Sequence, residues 1–221
     1  MARNGITSSG RTPPRERAEE VYAAALRLFT EKGYHATSMQ DIAAAVGLYK
    51  GSLYHYIGSK EDLLVEVFER AMGSLLSEVE GIVAETSTPA GVQLRQLVHA
   101  HVTAVAANRE ALTVYLHEFR ALAGDALQRV RDQRERYREL VEGVIRRGVE
   151  QGELHTGDVG ITTLATLGMC NWLVQWYRPG GRLLPRQIAD RFADLVLAGL
   201  YFEPSTSSPT ASPKLRISDV E

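Results

Sequence analysis

The sequence predicts an all-α protein, because three observations agree along most of its length. Apolar residues recur at three- and four-residue steps, and the two-residue alternation typical of strands is absent. Serine and aspartate pairs with capping-box spacing precede two of the periodic segments. Glycine follows several others, as expected where helices end. Together these signals predict about nine helices, arranged as an N-terminal three-helix, helix-turn-helix domain and a C-terminal helical bundle.

The N-terminal domain is predicted from local start and stop signals. A first helix begins at Arg15, carries its apolar residues on one face, and ends at Gly33. Ser38 and Asp41 form a capping box that begins a second helix. This helix is short and ends at the next glycine, and a third helix follows over residues 50–56.

A long fourth helix is predicted to begin with a second capping box, formed by Ser59 and Asp62, and to run to about Val83. The later helical segments cover residues 92–107, 110–122, 125–150, 158–177 and 185–202. The predicted domain boundaries are 1–14 for a flexible arm, 15–60 for the helix-turn-helix domain, 61–202 for a ligand-binding and dimerisation domain, and 203–221 for a disordered tail.

Composition sets the broad class of the protein. The 221 residues are 44% hydrophobic, which is enough to build a core, and 25 basic against 27 acidic residues give a net charge of -2. This balance neither indicates nor excludes a nucleic-acid partner. A single cysteine, Cys170, excludes an intramolecular disulfide and indicates a cytoplasmic setting. The most apolar stretch, 161–177, is interrupted by polar side chains and is shorter than the roughly 20 residues of a membrane span, so we expect no membrane partner.

The second and third helices have the layout of a helix-turn-helix. Ala43, a small residue on the second helix, and Leu53 on the third would let the two helices pack closely around a tight turn at Gly47. Only Leu53 and Ile57 anchor the third helix, whose remaining side chains include Lys50, Ser52, Tyr54, His55 and Tyr56. Such a helix presents its polar and aromatic groups outward. The alternative is a capped helical hairpin with a purely structural role.

The motif segments resemble the TetR/AcrR family of bacterial regulators. They are TSMQDIA over residues 37–43, GLYKGSLYHY over 47–56 and SKEDLL over 59–64. Two positions depart from the family pattern. Tyr49 stands where a small polar residue usually caps the recognition helix, and Ile57 stands where phenylalanine is usual. The resemblance implies a homodimer that binds double-stranded operator DNA and a small-molecule effector, without a cofactor.

The resemblance also implies residue roles at the DNA. Lys50 would lie near phosphate, Gly51 would allow close backbone approach, and Lys60 would add charge at a helix N-terminus. Arg3 and Arg11 of the N-terminal arm would follow an adjacent groove. The predicted DNA-binding residues are Ser38, Tyr49, Lys50, Gly51, Ser52, Tyr54, His55 and Lys60.

The last two helices are predicted to form the dimer interface, as a four-helix bundle between subunits. Apolar residues on these helices supply the surface, with ordinary intrachain core as the alternative for each. The predicted interface residues are Leu164, Leu167, Leu195, Val196 and Leu200.

The segment 167–181 resembles a TetR subgroup that responds to acyl-coenzyme A (acyl-CoA) thioesters. The predicted ligand-binding residues are Tyr115, Phe119, Arg120, Met169, Asn171, Trp172, Gln175 and Trp176. For the Trp and Met side chains, core packing is the alternative. The arginine-rich run 129–138 is a solvated helix face or, alternatively, a surface for coenzyme A phosphates.

Catalytic and metal-binding patterns are absent from the sequence. His99 and His101 are two positions apart, so they point to different helix faces and cannot form a metal pair. We therefore expect that the protein is not an enzyme and that it has neither catalytic residues nor a metal site. The predicted function is a DNA-binding transcriptional repressor released by a small apolar ligand such as an acyl-CoA thioester. The alternative is a helical small-molecule-binding protein, or a drug-responsive efflux regulator, with no acyl-CoA role.

Overall fold

The computed structural model describes residues 13–201. The predicted tail, and the predicted arm apart from its last two residues, lie outside the described residues together with Arg3 and Arg11. Within residues 13–201 the structure contains nine α-helices, one 3-10 helix and no strand, which confirms the all-α prediction. The α-helices are α1 (Pro14–Lys32), α2 (Met39–Ala45), α3 (Lys50–Leu53), α4 (Lys60–Ala84), α5 (Ala90–Ala107), α6 (Arg109–Glu118), α7 (Gly124–Glu150), α8 (Val159–Trp176) and α9 (Pro185–Tyr201). None of these helices is both long and apolar enough to span a lipid bilayer.

The helix ends follow the local signals in the sequence. Gly33 has a φ of 84° and ends α1, a conformation that glycine adopts without steric cost. The capping box of α2 is complete, because Ser38 Oγ accepts from Asp41 N–H at 3.1 Å and Asp41 Oδ2 accepts from Ser38 N–H at 2.8 Å. At α4 the structure describes only half of the predicted box, in which Ser59 Oγ accepts from the backbone N–H of Asp62 at 3.0 Å.

Two helices are shorter than predicted. α3 ends at Leu53 rather than at residue 56, because the next N–H groups bond to carbonyls three residues back, as in the Tyr56 to Leu53 bond of 2.9 Å. The sixth helix ends at Glu118 and continues as a 3-10 helix over Phe119–Ala121. Both differences are tightened last turns, which the periodicity of apolar residues does not reveal.

α4 connects the two parts of the molecule. It packs against α1 near its start and against α5 and α7 further along, while α6 packs against both α1 and α4. α5 lies in the middle of the C-terminal bundle, in contact with α4, α7, α8 and α9. Buried α4 side chains such as Leu64, Phe68 and Val79 belong to one continuous core. A displacement of α6 or α4 would therefore act on α1, against which α2 packs.

Gly148 on α7 allows close packing with α5. A Cβ at this position would lie 2.6 Å from Leu154 Cδ1 and 2.8 Å from Ala90 Cβ. We expect Gly148→Ala to destabilise the fold by about 1–3 kcal/mol through overpacking. Gly143→Ala on the same helix meets no atom within 4 Å and should stabilise it by about 0.5–1 kcal/mol. Urea denaturation of both variants checks the opposite signs, and two changes of the same sign would contradict the packing argument.

Candidate DNA-binding surface and ligand cavity

The α2–α3 unit is anchored by a few buried apolar side chains. Ile42, Ala43 and Leu53 are completely buried, and Gly47 makes the turn between the helices with a φ of 65°. The Leu48 N–H bonds to the Ala43 carbonyl at 2.9 Å, which closes the turn. These contacts fix one face of α3 and leave its other face to solvent.

Most of the predicted DNA-binding residues lie in α3 or directly beside it. Tyr49 is 87% exposed and Tyr54 48% exposed, and Tyr49 makes no side-chain cap to the helix it precedes. Lys50, Gly51 and His55 are exposed, and Ser52 is half-buried. The structure therefore leaves five of these six residues exposed, and their contact with DNA stays a prediction.

Ser38 and Lys60 have partners within the domain. The Ser38 hydroxyl already bonds to Asp41, because it donates to the Asp41 carboxylate and accepts from the Asp41 backbone N–H. The Lys60 ammonium donates to the carbonyls of Tyr34 and Thr37 at 2.9 and 2.8 Å, and it lies 4.3 Å from the centre of the Tyr34 ring. The structure thus assigns Lys60 to holding the α1–α2 loop against α4, a role that sequence reasoning missed.

A second contact holds this loop from the other side. The backbone N–H of Tyr34 donates to Glu118 Oε1 at 3.2 Å, so the last residue of α6 binds the first turn after α1. Five residues later the N–H of Ala123, the residue before α7, donates to Glu61 Oε1 in the first turn of α4 at 3.4 Å. The two ends of the segment from Glu118 to Ala123 are therefore bonded to the α1–α2 loop and to the start of α4.

A narrow cavity lies between α4, α5, α6, α7 and α8. Its free volume is about 70 Å3, well below the roughly 300–1,000 Å3 typical of ligand pockets. Its walls combine six apolar side chains with five polar or charged ones. The lining residues are Met72, Leu75, His101, Val105, Leu112, Tyr115, Leu116, Arg134, Tyr137, Asn171 and Val174.

One wall of this cavity is a chain of hydrogen bonds. The Tyr137 hydroxyl lies 2.8 Å from His101 Nδ1, and His101 Nε2 lies 3.1 Å from Asn171 Oδ1. Burial away from water lowers the pKa of His101 to about 4, so the ring is neutral at pH 7. The neutral ring accepts from Tyr137 and donates to Asn171, which leaves the Asn171 amide NH2 outside this chain.

Tyr115 on α6 has a different environment. Its ring packs edge-on against Phe68, with centroids 4.9 Å apart, and the Arg134 guanidinium lies 5.7 Å from its centre. Burial raises the pKa of Tyr115 to about 12. The hydroxyl oxygen is buried without a hydrogen-bond partner among the described residues.

Only part of the predicted ligand-binding set lines the cavity. Tyr115 and Asn171 lie on its wall, and their contact with a ligand stays a prediction. Phe119 lies outside the cavity under the Arg134 guanidinium, and Arg120 is exposed. The other predicted residues are on different faces of α8, because this helix turns only Asn171 and Val174 toward the cavity. The four predicted ligand-binding residues of α8 that do not line this cavity are Met169, Trp172, Gln175 and Trp176.

α8 and α9 present a largely apolar face to solvent. Leu195 is 67% exposed and Trp172 is 65% exposed, and the small residues between them leave the helices accessible. We call this set the α8–α9 face: Ile161, Leu164, Ala165, Gly168, Trp172, Trp176, Leu195, Ala198 and Gly199. Of the predicted interface residues, Leu164 and Leu195 lie on it, and Leu167 and Val196 are half-buried beside it. Leu200 is only 5% exposed and belongs to the intrachain core, so its assignment to the interface was wrong.

His101 makes the stability depend on pH. Its folded pKa of about 4 lies below the ordinary value of 6.5, so the unfolded chain binds more protons between these values. Stability is therefore fully present above pH 6.5 and decreases as the pH falls toward 4. We expect the melting temperature to drop between pH 7 and 5, and His101→Gln to show a clearly smaller drop, in a thermal scan. An equal drop in both proteins would contradict a neutral buried imidazole.

Comparison with known proteins agrees with this architecture. A family model described as "Bacterial regulatory proteins, tetR family" matches residues 21–67, and one described as "Tetracyclin repressor-like, C-terminal domain" matches residues 87–200. The HTH-type transcriptional repressor KstR2 of Rhodococcus jostii (strain RHA1) is 32% identical over 187 residues, which are 83% of this chain and 91% of that protein.

Solved structures have the same fold. The TetR family regulator PfmR of Thermus thermophilus superposes with a TM-score of 0.75 at 36% identity, over 81% of this chain and 97% of that one. AibR in complex with isovaleryl coenzyme A and operator DNA gives a TM-score of 0.74 at 28% identity, over 82% and 98%. The chain therefore belongs to the tetR family of bacterial regulatory proteins and is a DNA-binding transcriptional regulator.

Proposed function

We propose that the protein is a homodimeric repressor that leaves its operator when an acyl-CoA thioester enters the cavity between α4 and α8. The observation that carries this proposal is the position of the cavity. It is lined by α4 and α6, the two helices that also contact the DNA-binding domain. A ligand at this place acts on both helices at once.

The DNA side of the proposal rests on the exposed surface of α3. A twofold dimer would place two copies of α3 in successive major grooves of an operator with approximate twofold symmetry. Lys50 is suited to a phosphate, and Tyr49, Ser52 and His55 offer hydrogen-bond donors to bases or the sugar-phosphate backbone. The α8–α9 face supplies an apolar surface for the second subunit.

The ligand side rests on the position of Arg134 between the apolar part of the cavity and a charged surface groove. This groove also contains Arg131 and Arg138, together with the acidic side chains Asp132 and Glu135. Arg138 is held by Glu135 and Glu142, whereas Arg134 lies over the aromatic rings of its neighbours. Guanidinium groups bind phosphate oxygens well. An acyl group in the cavity and coenzyme A phosphates on the groove would match this pattern. The similar protein AibR has been solved in complex with isovaleryl coenzyme A, which supports a ligand of this class.

Release would follow from the small size of the cavity. A free volume of about 70 Å3 is small for a ligand pocket, so a long acyl group would move the surrounding helices apart. α6 carries Leu112, Tyr115 and Leu116 on the cavity wall and Glu118 on the Tyr34 backbone one turn later. Outward movement of α6 would thus pull on the α1–α2 loop that Lys60 also holds. The spacing of the two α3 helices in the dimer would change as a result.

A titration of operator DNA tests the proposal. Fluorescence anisotropy with a labelled fragment from upstream of the protein's own gene would give its affinity alone and with isovaleryl-, octanoyl- or palmitoyl-CoA. We expect at least one thioester to weaken binding by about 5- to 150-fold, the usual range of allosteric coupling. Free coenzyme A and the free fatty acids are the controls. Unchanged affinity with all three thioesters would remove the acyl-CoA proposal, and release by an uncharged hydrophobic drug instead would favour an efflux regulator.

A further inference from the structure

The Tyr115 hydroxyl is the most unusual polar group in the cavity. The residue is 5% exposed, lines the cavity wall, and its hydroxyl oxygen has no hydrogen-bond partner among the described residues. An unpaired buried hydroxyl destabilises a folded protein, and phenylalanine would fill the same space without that cost. Tyr137, a second buried tyrosine on the same wall, has its hydroxyl bound to His101. Tyr115 therefore has a hydrogen bond to offer that the ligand-free fold does not use.

The location of Tyr115 restricts what can accept this hydrogen bond. On one side the wall is hydrocarbon, formed by Met72, Leu75, Val105 and Leu112. On the other side the Arg134 guanidinium lies over the Tyr115 ring and also borders the surface groove, where Arg131 offers a further guanidinium group. A ligand that lies across this boundary has its apolar part inside and its anionic part outside. In an acyl-CoA thioester, the carbonyl oxygen is the acceptor at the junction of these two parts.

We propose that the Tyr115 hydroxyl donates a hydrogen bond to the thioester carbonyl oxygen of the effector and thereby selects thioesters over other apolar ligands. The inference rests on the proposed function, because it assumes an acyl-CoA in this cavity. Tyr115 is a specificity residue under this proposal and performs no chemistry. The amide NH2 of Asn171 lies on the same cavity wall and makes no hydrogen bond within residues 13–201, so it is a second donor available to ligand oxygens.

Thioether analogues test this assignment, because replacing the carbonyl group by CH2 removes only the acceptor. Isothermal titration would compare isovaleryl-, octanoyl- and palmitoyl-CoA with the S-alkyl thioethers of the same carbon skeleton. We expect the wild-type protein to prefer the thioester by about tenfold, as one buried hydrogen bond predicts. In Tyr115→Phe the preference should fall to within about twofold, while the affinity for the thioether stays the same.

Tyr137→Phe is the matched control, since it removes a buried hydroxyl from the same wall that is already bound to His101. Because this hydroxyl is already committed to His101, its loss should reduce the thioester preference clearly less than the loss of the Tyr115 hydroxyl does. The two variants should also differ without ligand. Tyr115→Phe should raise the melting temperature by about 2–4 °C by removing an unpaired hydroxyl, and Tyr137→Phe should lower it by leaving His101 Nδ1 without a donor.

The outcomes separate the two proposals. If no thioester binds the wild-type protein, the proposed function falls and the Tyr115 assignment falls with it. If thioesters bind but Tyr115→Phe keeps the full thioester preference, only the Tyr115 assignment is overturned. A lower melting temperature for Tyr115→Phe would also count against it, because the hydroxyl would then have a partner in the free protein.

Discussion

Lys50→Glu is expected to weaken operator binding by at least about 100-fold at 0.15 M salt without changing the melting temperature. Lys50 is exposed at the start of α3, so its replacement removes no packing. A dimer would lose two phosphate contacts, which counterion release alone makes worth about 30-fold at this salt concentration. Repulsion between the new carboxylates and the DNA phosphates accounts for the rest of the expected 100-fold loss in affinity. The slope of log affinity against log salt should decrease by about two units in magnitude.

The control for Lys50→Glu is Arg146→Glu, which makes the same change in net charge. Arg146 lies near the C-terminal end of α7 and pairs with Glu142. The start of α7 is the part that lies beside the DNA-binding domain, where the preceding Ala123 N–H donates to Glu61. We expect operator affinity within about threefold of wild type. Equal loss in both variants would mean that overall charge, rather than α3, determines binding.

Leu195→Glu is expected to convert the dimer to a monomer and to reduce operator affinity by about 100-fold or more. Leu195 is 67% exposed on the α8–α9 face, so a glutamate there is solvated in the free subunit and leaves its fold intact. In the proposed interface the twofold axis would bury two carboxylates in an apolar surface, which is strongly unfavourable. A monomer would also lose the gain in affinity that comes from holding two half-sites at once.

Sedimentation velocity measures the oligomeric state directly, and the same samples serve for operator titration. Val92→Glu is the control, because Val92 is 46% exposed on α5 and lies outside the α8–α9 face. It should remain dimeric and bind the operator normally. A dimeric Leu195→Glu protein would show that the subunits associate through another surface.

The sequence predicts the helices well because their ends depend on local chemistry. The serine cap of α2, the glycine after α1 and the cap of α4 act within a few residues, so each can be recognised without knowledge of the fold. The same is true of the exposed side chains on α3, which the motif places on a short helix with few apolar anchors. The tightened end of α3 depends on hydrogen bonds after Leu53 and is not visible in the periodicity.

The ligand cavity is harder to predict because its walls come from five helices far apart in sequence. α8 is apolar around much of its circumference, so its pattern does not show which side faces the bundle. Trp172 faces solvent while Val174 is buried, although both are large and apolar. The spacing of His99 and His101 is enough to exclude a metal site formed by this pair. The hydrogen bond between His101 and Tyr137 on α7 is a tertiary contact, and no sequence pattern predicts it.

Lys60 shows the same limit within the motif itself. The resemblance implies a contact with DNA, and a lysine at a helix N-terminus is consistent with an anion nearby. The structure gives its ammonium two carbonyl groups of the α1–α2 loop. Local sequence indicates which residues carry charge, whereas the partner of that charge depends on how the chain folds back.

The central claim is that a ligand in the cavity and operator DNA on α3 each weaken the binding of the other. The most direct test is to measure how the affinity for one depends on the presence of the other. The affinity for an acyl-CoA thioester would be measured by isothermal titration on the free dimer and on the dimer saturated with operator. We predict that operator weakens thioester binding by the same factor by which the thioester weakens operator binding. Equal thioester affinity for the free and the DNA-bound protein would contradict the claim.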